Sequence, residues 1–150
     1  MTVENIMTKE PQCCSPEDTV QVVAQLMKKL DVGAIPVIAD QVSKRLVGII
    51  TDRDLCITAM AEGKDPRTTK IAPYFTKTVV TCMPGDTLEV CEQKMKLNKI
   101  RRILVVDAQY KCLGIVVQAD LARVEKPEAF RELVAEISKP KRYPSGIAVA

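Results

Sequence analysis

The chain has 150 residues, 47% of them hydrophobic, which is enough to bury a core in one domain or in two closely joined halves. Its net charge is only +3, with 22 Lys and Arg scattered among 19 Asp and Glu, so the continuous basic face of a nucleic-acid binder is missing, and no apolar run approaches the roughly 20 residues that cross a bilayer. Aromatic residues make up 3% and Trp is absent, so Val, Ile, Leu, Met and Ala must fill the core, which suits layers of helix packed on sheet.

The opening Met1-Thr2-Val3-Glu4-Asn5 has no basic and apolar leader, and the protein is expected to be soluble, unexported and cytoplasmic. Ser15-Pro16-Glu17-Asp18 combines an N-cap, a Pro at the first helical position and a following acid, which predicts a helix start. Val20, Val23, Met27 and Leu30 then form one apolar stripe, with Gly33 as the expected stop. Ala34 to Ala39 and Arg45 to Thr51 are apolar and rich in β-branched residues, and the polar Asp40-Gln41-Val42-Ser43-Lys44 between them predicts a hairpin. Asp52 to Glu62 predicts a second helix ended by Gly63, and residues 64–70 read as a charged linker.

The same order then recurs. Leu88, Cys91 and Met95 form a helix stripe, strands are expected near Ile103 to Val106 and Cys112 to Val117, and a short helix starts at Gln118. Met83 stands where the first helix has Ser15, and Gly85 follows Pro84, so this second long helix is expected to fray at its start. Beyond Pro127, the residues Phe130, Leu133, Val134 and Ile137 fall on one side of an amphipathic helix. Ser138 to Ala150, with Pro140 and Pro144, is expected to carry no fold.

A shift of 68 positions places Thr8 on Thr76, Pro16 on Pro84, Asp18 on Asp86, Thr19 on Thr87, Met27 on Met95, Ile35 on Ile103 and Val37 on Val105. After the hairpin turn the shift becomes 66 and pairs Gly48 with Gly114, Ile49 with Ile115, Asp54 with Asp120 and Leu55 with Leu121, so the first copy has the longer loop. The chain therefore divides into repeat 1 at residues 1–63, the linker at 64–70, repeat 2 at 71–125, and a C-terminal helix with its tail at 126–150.

The ordered pieces Ile6-Met7-Thr8, Pro16-x-Asp18-Thr19-Val20, Gly33-Ala34-Ile35-Pro36-Val37 and Gly48-Ile49-Ile50-Thr51-Asp52-Arg53-Asp54-Leu55, matched by Pro84-Gly85-Asp86-Thr87-Leu88, Arg101 to Asp107 and Gly114 to Leu121, resemble the cystathionine-beta-synthase (CBS) domain in tandem, the Bateman module. The resemblance covers roughly Asn5 to Leu121. It implies an α/β (α+β) fold of two βαββα units with pseudo-twofold symmetry, here with an added C-terminal helix. It further implies adenosine nucleotides in inter-repeat clefts, a homodimer, and a regulated partner whose identity the sequence does not give. AMP, ADP or ATP rank first as ligands, with NAD and S-adenosylmethionine behind them, and no cofactor is required.

Thr51-Asp52-Arg53-Asp54 lies at a strand end and a helix start. Free backbone N–H groups there suit phosphate, the Thr51 hydroxyl adds a hydrogen bond, and Asp54 is able to accept from both ribose hydroxyls. In the family the threonine and the aspartate have those roles. Thr-x-x-Asp is equally a capping box that only satisfies first-turn amides, and spacing alone divides the two readings evenly. In the second copy Val117 removes the hydroxyl while Asp120 remains, a combination that capping alone does not require.

Arg101 and Arg102 interrupt the start of an apolar strand, and by the resemblance they reach the phosphate of the ligand whose ribose Asp54 holds. Consecutive strand residues face opposite ways, so Arg102 is favoured over Arg101. Gly33 and Ala34, their equivalents, leave room for a base or ribose without offering charge, and one complete site with one weaker site is the expectation. The expected ligand-binding residues are Gly33, Ala34, Ile49, Thr51, Arg53, Asp54, Arg101, Arg102 and Asp120.

The six cysteines form no C-x-x-C pair and no histidine is present, so no metal site is expected and the thiols read as small apolar fillers. The same lack of histidine and of a G-x-x-x-x-G-K-[ST] loop argues against an enzyme. Tyr74, Phe75, Tyr110, Phe130 and Tyr143 are too dispersed for a nucleic-acid surface. The competing reading is a structural dimerisation or adaptor module that binds no nucleotide.

Overall fold

In the computed structural model, which describes residues 1–142 and 148–149, the two repeats use one local chemistry. The elements in chain order are α1 Val3–Ile6, β1 Thr8–Lys9, α2 Val20–Leu30, β2 Ala34–Ile38, β3 Leu46–Thr51, α3 Asp52–Asp54 running into a π-helical stretch Leu55–Met60, β4 Thr81–Cys82, α4 Leu88–Asn98, β5 Arg102–Val106, β6 Cys112–Val117, α5 Gln118–Ala122, α6 Pro127–Ile137, β7 Lys141–Arg142 and β8 Ala148–Val149. No helix among the described residues is long and apolar enough to cross a membrane.

The long helices α2 and α4 start four residues later than Ser15 and Met83 would place them. Thr19 and Thr87 are the caps, their hydroxyls accepting from the N–H groups of Val22 and Val90. The expected starts are turns closed by carboxylates, with Asp18 Oδ2 accepting from the Ser15 N–H at 2.8 Å and Asp86 Oδ2 from the Met83 N–H at 3.0 Å. Because that bond uses the backbone of residue 83, replacing serine by methionine costs α4 nothing, and the expected fraying has no basis. The Met83 N–H also holds the Asp86 carboxyl below its usual range. The stop of α2 is likewise Asp31, in the left-handed region at φ 54°, with Lys99 at φ 50° as its counterpart in α4, and not Gly33.

One compact unit comprises Met1–Lys9, Val80–Val105 and Gly114–Ala150. Its sheet has the order β1-β6-β5-β4, with β4 parallel to β5 and β1 antiparallel to β6 through Thr8↔Ile115. Val3, Leu88, Cys91, Met95, Ile103, Val105, Val116, Leu121, Leu133 and Ile137 fill its core, so the stripe expected for α4 is buried, whereas of the stripe expected for α6 Leu133 and Ile137 are buried and Phe130 and Val134 only half-buried.

The other unit comprises Glu10–Val79 and Val106–Leu113. It holds the β2–β3 hairpin, a parallel bridge Cys14↔Val37 and an antiparallel bridge Ile49↔Thr76. These bridges repeat Cys82↔Val105 and Thr8↔Ile115 at the equivalent positions. The first segment of each copy is therefore paired to the last strand of the other copy. Val20, Val23, Met27, Ile35, Val37, Ile50, Leu55 and Ile71 make the core of this unit; Leu30, expected in the α2 stripe, is 38% exposed, and Leu26 packs partly against the core.

Gly48 and Gly114 mark the exchange. A β-carbon on Gly48 would lie 2.3 Å from the Thr76 carbonyl oxygen and 2.5 Å from the Phe75 ring, and one on Gly114 would lie 2.5 Å from Met7 Sδ. Only glycine lets the crossing segment reach β3.

The helix expected from Asp52 to Glu62 is α-helical for three residues and then widens to a π-helix over Leu55–Met60. The Thr58 hydroxyl donates to the Asp54 carbonyl, taking an acceptor that an α-helical amide would use. Gly63, at φ 70°, ends the stretch as expected. The expected foldless tail is corrected where β7 pairs with β8, Lys141 opposite Val149; residues 143–147 and 150 lie outside the described residues.

Four thiols, Cys14, Cys82, Cys91 and Cys112, are buried as fillers, but Cys56 is exposed and Cys13 half-buried, so the filler reading fails for those two. Burial pushes the Cys14 thiol up to about 12.

Glu92 is a buried acid on α4. Burial, and then a hydrogen bond shared with the Glu125 carboxyl, push it up to about 7, with Lys96 opposing and Glu89 adding. The folded chain keeps a proton here that the unfolded chain, at about 4.5, releases. Stability is thus fully present below that value and falls as pH rises towards 7. Melting temperature is expected to drop between about pH 5 and pH 8, and Glu92→Gln to flatten that drop in calorimetric scans.

Candidate functional site

Along β3 the side chains of Leu46, Gly48 and Ile50 are buried, while Val47, Ile49 and Thr51 are half-exposed, so Ile49 and Thr51 share one open face. Thr51 leaves the strand in extended conformation, at φ −114°, and caps α3. Its Oγ accepts from the Asp54 N–H at 3.1 Å, and Asp54 Oδ2 accepts from the Thr51 N–H at 2.9 Å. The capping box is therefore realised in full.

It leaves two polar capacities unused. Thr51 still has its hydroxyl proton to donate, and Asp54 Oδ1 accepts no hydrogen bond and meets no cation among the described residues. Capping and ligand binding are thus compatible at this corner.

The rest of the corner comes from β2. Ala34 is the register partner of Thr51, and the Asp52 N–H donates to the Gly33 carbonyl at 3.0 Å. Ala34 is buried, Gly33 and Asp54 are half-exposed, and Arg53 is exposed. Six of the nine expected residues, Gly33, Ala34, Ile49, Thr51, Arg53 and Asp54, therefore meet at one corner.

The second copy reproduces the frame with different occupants. The Gln118 N–H donates to the Arg101 carbonyl at 2.9 Å, as Asp52 does to Gly33, which brings Arg101, Arg102 and Asp120 into the second set. Arg101 precedes β5 and is exposed, whereas Arg102 is the half-buried first residue of the strand; neither guanidinium has an ion-pair partner among the described residues.

Val117 has no acceptor to cap the Asp120 amide, but Asp120 Oδ2 still accepts from the Val117 N–H at 2.8 Å. The persistence of Asp120 without a hydroxyl partner is therefore explained by capping alone, contrary to the reading from sequence. Its other oxygen, Oδ1, accepts from Arg123 Nη1 at 2.8 Å. Sequence reasoning missed Arg123; the signal was the 66-residue shift, which puts it on Ile57.

Among the described residues no group of three or more His, Cys, Asp or Glu is placed to hold a metal ion.

Comparison with known proteins agrees with the architecture. The CBS domain family matches twice, over residues 3–59 and 71–126. The CBS domain-containing protein YhcV of Bacillus subtilis is 38% identical over 121 residues, covering 81% of this chain and 83% of its own length. Hypoxic response protein 1 of Mycobacterium tuberculosis is 30% identical over 139 residues, covering 93% and 95%. Among solved structures, the CBS domain pair of protein MJ0100, in complex with 5-methylthioadenosine and S-adenosyl-L-methionine, superimposes with a TM-score of 0.73 at 27% identity, covering 83% of this chain and 94% of that one.

Proposed function

This chain belongs to the CBS-domain family, and from that premise we propose that it is a regulatory ligand-sensing module whose Thr51–Asp54 corner takes the ribose of an adenosine nucleotide or a related adenosyl ligand. The observation that carries the reading is the unspent Asp54 Oδ1, beside a threonine hydroxyl with a proton to give, at the end of the open Ile49–Thr51 face. A vicinal diol is a donor pair suited to a carboxylate. The adenosyl ligands of the MJ0100 domain pair support the class of ligand.

Within this corner the cation at hand for a phosphate is Arg53, exposed between Thr51 and Asp54 and without a carboxylate partner among the described residues, which suits a charge-assisted contact. The role is regulatory and not catalytic: ligand occupancy is passed to a separate protein, with the chain acting as a homodimer.

A melting screen of AMP, ADP, ATP, NAD and S-adenosylmethionine, with pyrimidine nucleotides as controls, tests the reading. A ligand at a hundredfold excess over its dissociation constant adds about 2.7 kcal/mol, a shift of roughly 5–10 °C for a domain of this size. The full capping box favours the second reading, a structural adaptor that binds no nucleotide, and that reading predicts no shift with any of the compounds.

A further inference from the structure

Asp54 and Asp120 are the same residue of the repeat, but their free oxygens differ. Asp54 Oδ1 has no partner among the described residues, while Asp120 Oδ1 is held by Arg123 Nη1 at 2.8 Å. Asp120 is also the more enclosed, its side chain only 10% exposed, whereas Arg123 lies 73% exposed over it. Both Asp120 oxygens are thus engaged within the chain, one by the Val117 N–H and one by the guanidinium. At the position of Arg123 the first copy has Ile57, which cannot reach for a carboxylate with charge.

We propose that Arg123 is a specificity-determining residue: it occupies the second-copy carboxylate in place of a ribose diol, so that the chain takes one nucleoside-bearing ligand, at the Asp54 corner. The proposal rests on the ribose-binding reading of this aspartate. A diol arriving at Asp120 must displace a charge-assisted bond and leave the guanidinium without its partner. With its guanidinium this open to solvent, the pair is worth up to about 1 kcal/mol, which is about fivefold in affinity. That penalty falls on a corner that also lacks the threonine hydroxyl.

The test grafts the first-copy residues onto the second corner and counts ligands by isothermal titration with AMP and S-adenosylmethionine. Wild type and Val117→Thr should each bind one equivalent, while Val117→Thr with Arg123→Ile should bind two, the second site being about fivefold or more tighter than any second event in Val117→Thr alone. Arg123→Gln combined with Val117→Thr serves the same purpose if the isoleucine variant fails to fold, since it removes the charge and keeps a polar surface residue.

A second equivalent with Val117→Thr alone that is as tight as the one in the double graft would make the missing hydroxyl the barrier and overturn the role of Arg123. A single equivalent in every graft, or weaker binding on removing Arg123, would overturn it as well. Asp54→Ala distinguishes this failure from failure of the underlying reading. If it leaves the wild-type equivalent intact, the aspartate does not hold ribose at all; if it removes that equivalent while the grafts stay at one, only the Arg123 inference is wrong.

Discussion

Asp54→Ala is expected to remove nearly all of the melting shift that an adenine nucleotide produces. Two ribose hydroxyls donating to a carboxylate contribute about 1.5–3 kcal/mol each, and losing about 2.7 kcal/mol of this weakens binding roughly a hundredfold. A ligand concentration that gave about 2.7 kcal/mol to the wild type then gives about 0.4 kcal/mol, or one to two degrees. The unliganded variant should be only about 1 kcal/mol less stable, because the carboxylate gives up one capping bond to the Thr51 N–H while the Thr51 hydroxyl still caps residue 54. Asp120→Ala is the matched control. Its carboxylate is spent on Val117 and Arg123, so ligand affinity should barely move even though the fold loses the same cap. Equal loss of ligand response in the two variants would remove the asymmetry between the copies.

Gly48→Ala should be the most damaging single-methyl change in the chain. The added carbon meets a backbone oxygen, at 2.3 Å, that is itself committed to the Ile49 N–H at 3.0 Å, and a ring that is part of the core, so neither neighbour is free to yield. Overpacking of that kind costs about 3 kcal/mol, or roughly 6–12 °C. Gly114→Ala meets chiefly the thioether of Met7, the flexible end of a side chain, with the Thr8 carbonyl at 3.0 Å behind it, and about 1 kcal/mol is expected. Denaturant titration of the two variants measures both costs. Similar small losses at the two positions would mean that the crossing segments do not press on β3 and β6 as described. The functional consequence of Gly48→Ala follows from position, since Ile49 and Thr51 belong to the strand that must shift.

Much of this was readable in the sequence, because a repeat states each rule twice. Val20, Val23 and Met27 against Leu88, Cys91 and Met95 fixed the faces of α2 and α4, and β6 and the start of α5 fall where alternation and the following polar run placed them. The helix starts were misread because Pro16 and Asp18 imitate an N-terminus, whereas the Asp18 carboxylate folds back on the Ser15 N–H and leaves capping to Thr19. The strand exchange went unseen because β1 and its counterpart at Thr76 are too short to show a period; the trace it left was the pair of glycines at equivalent places in two apolar strands. The π-helical stretch Leu55–Met60 carries no mark in the pattern of apolar residues that would separate it from an α-helix.

At the candidate site, residue types identified the corner but not its state. Thr51 and Asp54 could be named from spacing, yet only geometry separates an oxygen that is spent from one that is not. Arg123 carries the opposite lesson: its effect on Asp120 comes from a guanidinium one turn along the chain, outside every motif that marks the corner.

The most direct measurement is a crystal structure of the chain with a bound adenine nucleotide. Both ribose hydroxyls are expected within hydrogen-bond distance, about 2.5–3.0 Å, of the Asp54 carboxylate, with Asp120 still paired to Arg123. A nucleotide whose ribose lies away from Asp54, or one held by Asp120 instead, would contradict it.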